Sequence, residues 1–583
     1  MLSVLRQLFG SLRSFKKETY LTILFIILEA VINAMIPFVT AQLINSLQQG
    51  QVQMQAVGKT GILLFFMALL SLAFGGIAGY TSAKASSGLA RNLRSDIFQN
   101  IQTFSFANID KFSTPSMISR LTTDIGNVMF AFMTLIRTAF RAPLVIIFSF
   151  FMAWRLAGSL SFSFLLIIPF LALAFGLMFK FAMPHFQAAF RQFDEINATV
   201  GENVQAAREV KAYARADYEK RKFKKASGRL MRIFIKADRI VELSSPAMQL
   251  AINFNMLFIF ALGSELAVKS GGLRLNVGQM SAMLTYGVQI MIQLMMLTTI
   301  LVAITMSAES ARRIKELLDE RSSLTSPPDA LQTVADGSVV FDHVSFRYSK
   351  EAETDALSDI HFTIPSGGTV GILGGTGSGK STLIQLIPRL YDVTKGRLLV
   401  GGEEVQRYDL SALRDQVAIV LQKNVLFSGT IAENLRWGNP EASQEELEWA
   451  ARIAQADDFI RAFPKGYDSQ IEQGGTNVSG GQKQRLCIAR SLLKKPKILI
   501  FDDSTSAVDT KTEAKIRIGL REALPEATKI IISQRISSVK DCDQIILLKG
   551  GTVDAIGRHE HLLQSHADYR DTYERQRGGQ IGE

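Results

Sequence analysis

The chain has 583 residues, of which 48% are hydrophobic and 20% charged, with a net charge of +11 and a mean hydropathy of +0.17. This length excludes a single small domain, and the composition excludes a wholly soluble or disordered chain, because long apolar tracts must stand beside ordinary soluble sequence. Two cysteines, Cys487 and Cys542, exclude a disulfide framework and match no zinc-site spacing.

Six apolar tracts predict transmembrane helices, because a bilayer core needs about 20 residues with few charges. They run roughly over residues 20–47, 61–83, 126–154, 156–183, 247–268 and 280–306. Thirteen lysines and arginines lie between positions 184 and 242, and none lies between 46 and 58. This asymmetry places the basic segments in the cytoplasm. A nucleic-acid-binding arm is the alternative, which the flanking spans disfavour.

Two features of these spans bear on substrate binding. Glu29 lies in the first span, about 13 Å along the helix, and an intramembrane carboxylate is a candidate functional residue. It contacts either the substrate or a structural partner elsewhere in the bundle. Flexible thioethers on the last span suit several hydrophobic shapes, although packing or lipid contact is commoner for such a stripe. The methionines are Met280, Met283, Met291, Met295, Met296 and Met306.

The composition changes after the last span. A stretch with Pro327 and Pro328 is typical of a linker, and short β-rich runs at 339–346, 369–373, 498–501 and 530–533 then alternate with helical stretches. We expect an all-α six-helix transmembrane domain over residues 1–320, a linker over 321–337 and an α/β domain with a largely parallel sheet over 338–583.

A complete phosphate-loop pattern follows the run 369–373 and precedes an apolar helix beginning at Thr382. Its residues are Gly374, Gly375, Thr376, Gly377, Ser378, Gly379, Lys380 and Ser381. Lys380 is expected to bridge the β- and γ-phosphates, and Ser381 to reach Mg²⁺. Asp502 and Asp503 follow a buried strand, which predicts both carboxylates at the same sheet edge, with Asp502 suited to the Mg²⁺ shell. The sequence therefore predicts ATP and Mg²⁺ as ligands.

A Ser-Gly-Gly-Gln sequence, Ser479, Gly480, Gly481 and Gln482, begins a later helical stretch. With Val478 it closely resembles the signature motif of ABC transporter ATPases, and residues 506–509 are similar to that family's D-loop. The resemblance extends over nearly the whole chain. Six spans fused ahead of the ATPase domain resemble an exporter half-transporter rather than an importer. Segments 104–112 and 213–219 fall where that family has coupling helices that dock on the ATPase domains.

In that family two ATPase domains dimerise head to tail, so each ATP lies between one chain's phosphate loop and the other chain's signature motif. The resemblance implies that Tyr348 stacks on adenine and that Gln422 contacts Mg²⁺ and the membrane domain. The expected nucleotide-contacting residues are Tyr348, Gly375, Thr376, Gly377, Ser378, Gly379, Lys380, Ser381, Thr382, Gln422, Ser479, Gly480, Gly481 and Gln482. The expected metal-contacting residues are Ser381, Gln422 and Asp502.

Two positions depart from the family pattern. Hydrolytically competent members carry a glutamate that positions water and a switch-loop histidine that contacts the γ-phosphate, where this chain has Asp503 and Gln534. Aspartate is one methylene shorter, so its carboxylate would sit about 1 Å too far back, which can cost about 10²-fold in rate. Gln534 can still hydrogen-bond phosphate, but it lacks an imidazole.

These observations predict one half of a heterodimeric ABC exporter of hydrophobic or amphiphilic compounds. This chain would supply a degenerate ATP site and would complete the competent site of its partner through the intact signature motif. Expected partners are a second half-transporter, membrane lipids and a small hydrophobic substrate, with no nucleic acid. A homodimeric lipid or drug flippase and an ATP-gated channel or regulator are the alternatives. The expected location is the bacterial plasma membrane, because no organellar transit peptide is evident.

Overall fold

The computed structural model describes residues 9–48, 54–270, 275–349, 352–503 and 509–579. Contacts divide the chain into two compact units. The first comprises Met1–Gln102 and Thr114–Glu320, and the second comprises Thr103–Ser113 and Arg321–Glu583. The short segment 103–113 therefore packs with the second unit, although the sequence on both sides of it belongs to the first.

The first unit is built of helices, as its long apolar tracts dictate. Its α-helices are Lys16–Gln48, Met54–Gln102, Thr114–Ser119, Ile125–Thr134, Phe140–Ala157, Ser163–Gln205, Ala207–Ala212, Ala216–Glu242, Ser244–Lys269 and Val277–Asp319. Short 3₁₀ turns occur at Arg13–Phe15 and Gly158–Phe162, and π-helical turns at Arg120–Asp124 and Leu135–Ala139.

Five helical segments of the described residues are long and apolar enough to cross a membrane. They are Arg13–Gln48, Met54–Gln102, Thr114–Val204, Ala216–Lys269 and Val277–Leu297. The third segment has 91 residues and contains both the third and the fourth predicted spans. Gly158 separates those two spans, because its φ of +52° ends the preceding helix. The expected helical membrane domain is confirmed, with two of the six predicted spans inside one helical segment.

Two buried polar side chains of the first unit, Tyr286 and Asp124, have hydrogen-bond partners. The Tyr286 hydroxyl is fully buried among apolar side chains and donates to the carbonyl of Ala34 at 2.7 Å. Asp124 is 1% exposed, and its carboxylate accepts hydrogen bonds from Ser310 at 2.8 Å and Arg313 at 2.5 Å. Such pairing is needed because an unpaired buried polar group costs free energy.

The second unit contains two main sheets. Its strands are β1 (Val339–Phe346), β2 (Leu357–Ile364), β3 (Thr369–Gly374), β4 (Lys395–Val400), β5 (Glu403–Glu404), β6 (Val417–Val420), β7 (Gly429–Thr430), β8 (Gln470–Ile471), β9 (Ile498–Asp502), β10 (Thr528–Ser533), β11 (Gln544–Lys549) and β12 (Thr552–Gly557). The six-stranded sheet has the order β12-β11-β3-β10-β9-β6 and is parallel except at β12. Strands β2-β1-β4-β5 form an antiparallel sheet, and β7 pairs with β8.

Helices surround these sheets and complete the expected α/β domain. They are Phe106–Phe112, Lys380–Leu386, Leu410–Gln416, Ile431–Arg436, Gln444–Ile453, Asp457–Ala462, Gly480–Leu493, Thr510–Ala523, Ile536–Val539, His559–Ser565 and Ala567–Gly579. Every residue of β9 and β10 is buried, as in parallel strands covered on both faces. Ser533 pairs with Leu373 and Ile532 with Asp502, so the carboxyl ends of β3, β9 and β10 meet at one sheet edge.

Candidate nucleotide-binding site

The phosphate loop lies between β3 and the helix Lys380–Leu386. Gly377 and Gly379 have φ values of +78° and +94°, which residues with a Cβ rarely adopt. A Cβ at Gly375 or Gly377 would meet nothing within 4 Å, so the loop is open at these positions. Lys380 Nζ donates to the carbonyls of Gly374 at 2.8 Å and Gly375 at 2.7 Å. Burial lowers the pKa of Lys380, and the carboxylates of Asp503 and Asp502 oppose this shift.

Two carboxylates lie beside this loop at the end of β9. Asp502 is 7% exposed and accepts a hydrogen bond from Ser381 Oγ at 3.2 Å. Burial raises the pKa of Asp502, and the Asp503 carboxylate raises it further. Burial also raises the pKa of Asp503, against the opposing charges of Lys380 and Arg535. A hydroxyl and a buried carboxylate are oxygen ligands of the kind Mg²⁺ prefers, and a cation here would favour ionised Asp502, so the residues fit Mg²⁺.

Tyr348 lies two residues beyond β1 and is 49% exposed. Its ring packs edge-on against Phe346, with centroids 4.8 Å apart, and against Tyr391, with centroids 5.3 Å apart. Its hydroxyl lies 2.9 Å from Thr382 Oγ1 in the phosphate-loop helix. The ring is therefore held beside the loop with part of its surface free to stack on a base.

Gln422 is exposed two residues after β6, beside a groove of about 320 Å³. Trp437 and Phe427 line this groove and stack with centroids 4.0 Å apart, and Trp437 is 62% exposed. The contacts of Gln422 with Mg²⁺ and with the membrane domain stay predictions.

The signature residues begin the helix Gly480–Leu493. Ser479 caps this helix by accepting from the Gln482 N–H at 3.3 Å, and Gln482 Oε1 accepts from the Ser479 N–H at 3.0 Å. Ser479 and Gly480 are exposed, which leaves the helix start accessible. In the predicted D-loop, residues 506–508 lie outside the described residues. Asp509 caps the next helix through the Thr512 N–H at 2.9 Å.

Gln534 is exposed immediately after β10, at the same sheet edge as the phosphate loop. Its carbonyl accepts from Gln576 Nε2 at 2.9 Å, and Gln576 Oε1 accepts from the Ile536 N–H at 2.9 Å. The side chain of Gln576, in the last helix Ala567–Gly579, therefore hydrogen-bonds two backbone groups of the switch loop. Sequence reasoning missed Gln576 and Tyr391, because no local pattern marks a residue whose partners are distant along the chain.

Glu29 has a structural partner in the helical unit. Arg141 Nη2 lies 3.0 Å from Glu29 Oε1, and Asn33 Nδ2 lies 3.5 Å from the same oxygen. Sequence reasoning left the identity of such a partner open. A contact between Glu29 and substrate stays a prediction. Among the methionines of the last span, Met283 and Met291 are fully buried, whereas Met295 is 36% exposed.

Comparisons with known proteins match both units. The family model described as "ABC transporter transmembrane region" matches residues 19–295, and the one described as "ABC transporter" matches residues 357–506. The "Uncharacterized ABC transporter ATP-binding protein YfiB" of Bacillus subtilis (strain 168) is 36% identical over 566 residues, covering 96% of each chain. The "Uncharacterized ABC transporter ATP-binding protein Rv1273c" of Mycobacterium tuberculosis is 34% identical over 499 residues, covering 85% of each.

A solved structure is similar to this chain in its three-dimensional fold. The "Structure of a bacterial Atm1-family ABC exporter with ATP bound" superposes with a TM-score of 0.84 at 25% identity, covering 96% of this chain and 98% of that one. The apolar helices and these relatives indicate a multi-pass membrane protein with a cytoplasmic ATPase domain. The chain therefore belongs to the ABC transporter family, as an exporter-type protein in which one polypeptide joins a transmembrane region to an ABC ATPase domain.

Proposed function

We propose that this chain is the degenerate-site half of a heterodimeric exporter of hydrophobic or amphiphilic compounds. Its phosphate loop binds ATP and hydrolyses it slowly, and its signature motif completes the competent site on a partner half-transporter. The observation that carries the proposal is the coexistence of an intact Ser479–Gln482 segment with Asp503 and Gln534 at the two hydrolytic positions. A homodimer would have two impaired sites.

The local structure of Asp503 supports slow hydrolysis. Its backbone has a φ of +45°, and a 3.0 Å hydrogen bond from its N–H to the carbonyl of Ile532 holds this conformation. A shorter side chain on a fixed backbone leaves the carboxylate about 1 Å behind the position of a glutamate carboxylate, and such a displacement costs about 10²-fold in rate.

Binding of ATP and Mg²⁺ is supported by the rest of the site. Lys380 lies beside the open loop, Tyr348 offers a ring face, and Ser381 with Asp502 would hold Mg²⁺. The family resemblance implies Gln422 as a further oxygen ligand. Bound Mg²⁺ would neutralise charge on the phosphate oxygens. The ATP bound to the structural relative supports the same choice of nucleotide. A site that binds ATP but turns it over slowly would keep the two ATPase domains partly closed between cycles.

Transport would follow from a shift between two conformations. ATP binding favours the closed ATPase dimer, and it shifts the equilibrium only by its difference in affinity for the closed and open forms. The helix Phe106–Phe112, which packs with the ATPase unit, would carry this change toward the membrane helices. Hydrolysis at the partner's site would then reset the cavity toward the cytoplasm. The cargo class rests on family analogy and on the exposed thioether of Met295.

The test compares the chain alone with the chain paired with a half-transporter that carries glutamate and histidine at the two altered positions. Both are reconstituted in vesicles, and ATP hydrolysis is measured by phosphate release. We expect slow turnover by the single chain, and on the order of 10²-fold faster turnover after combining Asp503→Glu with Gln534→His. Asp503→Asn is the matched control and should change the slow rate of the single chain little.

Brisk hydrolysis by the single chain that Asp503→Asn abolishes would contradict the proposal and favour the homodimer. Vesicle assays separate the remaining alternatives. ATP-driven uphill accumulation of a fluorescent amphiphile supports export, whereas lipid translocation alone indicates a flippase. Passive ion current that requires ATP indicates a channel.

A further inference from the structure

A cluster of histidines and acids lies on the outer face of the antiparallel sheet. Asp342 and His343 are on β1, Asp359 and His361 are on β2, and Arg397 is on β4. The register of β1 against β2 shifts between Phe341 and Val344, so a bulge at Asp342 and His343 brings both side chains to the same face as His361. None of these residues belongs to the nucleotide site described above.

We propose that Asp342, His343 and His361 bind a divalent transition-metal cation such as Zn²⁺. One ligand atom from each of the three residues lies within 4.8 Å of the other two. Ligand atoms in a tetrahedral zinc site lie about 3.3 Å apart, because each is about 2.0–2.1 Å from the metal. Rotation of these partly exposed side chains would shorten the separations of up to 4.8 Å between ligand atoms to about 3.3 Å. Two imidazoles and one carboxylate are ligands that suit Zn²⁺, Cu²⁺ or Ni²⁺ better than Mg²⁺ or Ca²⁺.

Neighbouring contacts orient two of the three ligands, His343 and Asp342. His343 Nδ1 lies 2.6 Å from Asp359 Oδ1, which leaves Nε2 of the same ring for a metal. Metal-binding histidines commonly donate their other ring N–H to a carboxylate in this way. Arg397 Nη2 donates to Asp342 Oδ2 at 2.7 Å, whereas Oδ1 of the same carboxylate faces His361 Nδ1 at 3.7 Å. Asp359 and Arg397 are therefore positioning residues for His343 and Asp342.

Charge also favours a cation at this place. With both imidazoles neutral, Asp342, Asp359 and Arg397 carry one net negative charge. The imidazole rings are stacked with centroids 4.6 Å apart and an interplanar angle of 21°, so protonating both would place two positive charges side by side. A single divalent cation between the three ligands supplies the positive charge without this repulsion. The side chains of His343 and His361 are 65% and 60% exposed, so the site keeps an open coordination position for water.

The experiment titrates the full-length protein, purified in detergent with a histidine-free affinity tag and stripped of metal, with Zn²⁺ in a calorimeter. We expect about one Zn²⁺ per chain at this site. His343→Ala and His361→Ala should each remove this binding event, and Asp359→Asn should weaken it by about 10–100-fold, as for other residues that orient a metal ligand. His561→Ala is the matched control, since His561 is exposed on a separate helix and should leave binding unchanged.

Retained ATP binding and an unchanged elution volume establish that each variant is folded, because the cluster lies outside the nucleotide site. Loss of one Zn²⁺ in His343→Ala and His361→Ala, but not in His561→Ala, supports the proposal. Equal Zn²⁺ binding by all variants, or no saturable binding by the unaltered chain, would overturn it and leave the cluster as a surface ion-pair network.

Discussion

Three charged side chains set the electrostatics of the nucleotide site. Lys380 is buried beside Asp502 and Asp503. Burial lowers the pKa of Lys380 and raises the pKa of both aspartates, so it favours the neutral form of each group. Asp502 lies deepest, and its carboxylate accepts a hydrogen bond from the Ser381 hydroxyl. Such a site is costly while empty and becomes favourable when phosphate and a divalent cation add their charges.

Asp502→Asn should therefore stabilise the nucleotide-free protein while abolishing Mg²⁺-dependent ATP binding. The amide oxygen still accepts from Ser381, and the desolvated negative charge is gone. We expect a gain of about 1 kcal/mol at neutral pH, typical of stabilising changes at functional sites. Because the folded-state pKa of Asp502 is raised, both proteins should be equally stable below about pH 3.9, and the gain should appear as pH rises through the raised pKa.

Apparent Tm without nucleotide, measured against pH, checks this sign. Asp409→Asn is a control of opposite sign, because backbone hydrogen bonds lower the pKa of Asp409. It should destabilise the protein above the ordinary aspartate pKa. A fall in the Tm of Asp502→Asn at neutral pH would show that the carboxylate instead contributes to folding.

One short helix connects the membrane unit's sequence to the nucleotide site. Phe106–Phe112 begins with a capping box formed by Ser105 and Asn108. Asn108 Nδ2 donates to the carbonyl of Arg321 at 3.1 Å, and Asp110 accepts from the Tyr391 hydroxyl at 2.8 Å. Tyr391 in turn packs against Tyr348, the residue expected to stack on adenine. These contacts form a continuous chain of packed groups from the expected base-binding ring to the helix.

Removing the Tyr391 hydroxyl should uncouple ATP use from transport with little effect on ATP affinity. Tyr391→Phe keeps the ring contacts with Tyr348 and loses the hydrogen bond to Asp110. We expect cargo moved per ATP hydrolysed to fall about threefold, within the roughly 0.5–2 kcal/mol by which single residues alter coupling. Transport and phosphate release measured in the same vesicles give this ratio.

Tyr408→Phe is the matched control for that experiment. The Tyr408 hydroxyl is buried and donates to the carbonyl of Val400 at 2.8 Å. Its loss should cost about 1 kcal/mol of stability, the usual net value of a hydrogen bond, and should leave the coupling ratio unchanged. Equal ratios in both variants would mean that the Tyr391–Asp110 contact only anchors the helix.

Local sequence patterns predicted the strands and the phosphate loop of the nucleotide site. They did not predict contacts between residues that are distant along the chain. The phosphate loop and the strands before Asp502 and Gln534 were predicted because glycine spacing and β-rich runs act over a few residues. Gln576 is 42 residues from its partner Gln534, and Arg141 is 112 residues from Glu29. Neither contact therefore leaves a pattern in the local sequence. The roles of the site residues toward ATP and Mg²⁺ stay predictions.

At the scale of the whole molecule, the proposal requires that one chain act on the ATP of another. The exposed signature helix is the element that would do this, because its start is accessible and the side chains of Ser479 and Gln482 cap each other's backbone N–H. A helix start also carries the partial positive charge that favours phosphate. The effect of changing it should therefore appear in the partner's hydrolysis rather than in this chain's own binding of ATP.

Ser479→Ala in the paired transporter should abolish most hydrolysis while this chain still binds ATP. A second serine makes a sharp control: Ser443 caps the helix Gln444–Ile453 with the same capping box, formed with Glu446. Either substitution should cost about 1 kcal/mol of helix stability, because each removes one N-cap. Only Ser479→Ala should slow phosphate release, by on the order of 10²-fold, as when a donor to developing phosphate charge is lost. If Ser443→Ala slowed the pair equally, the signature would act through stability alone, and the asymmetric dimer would lose its main support.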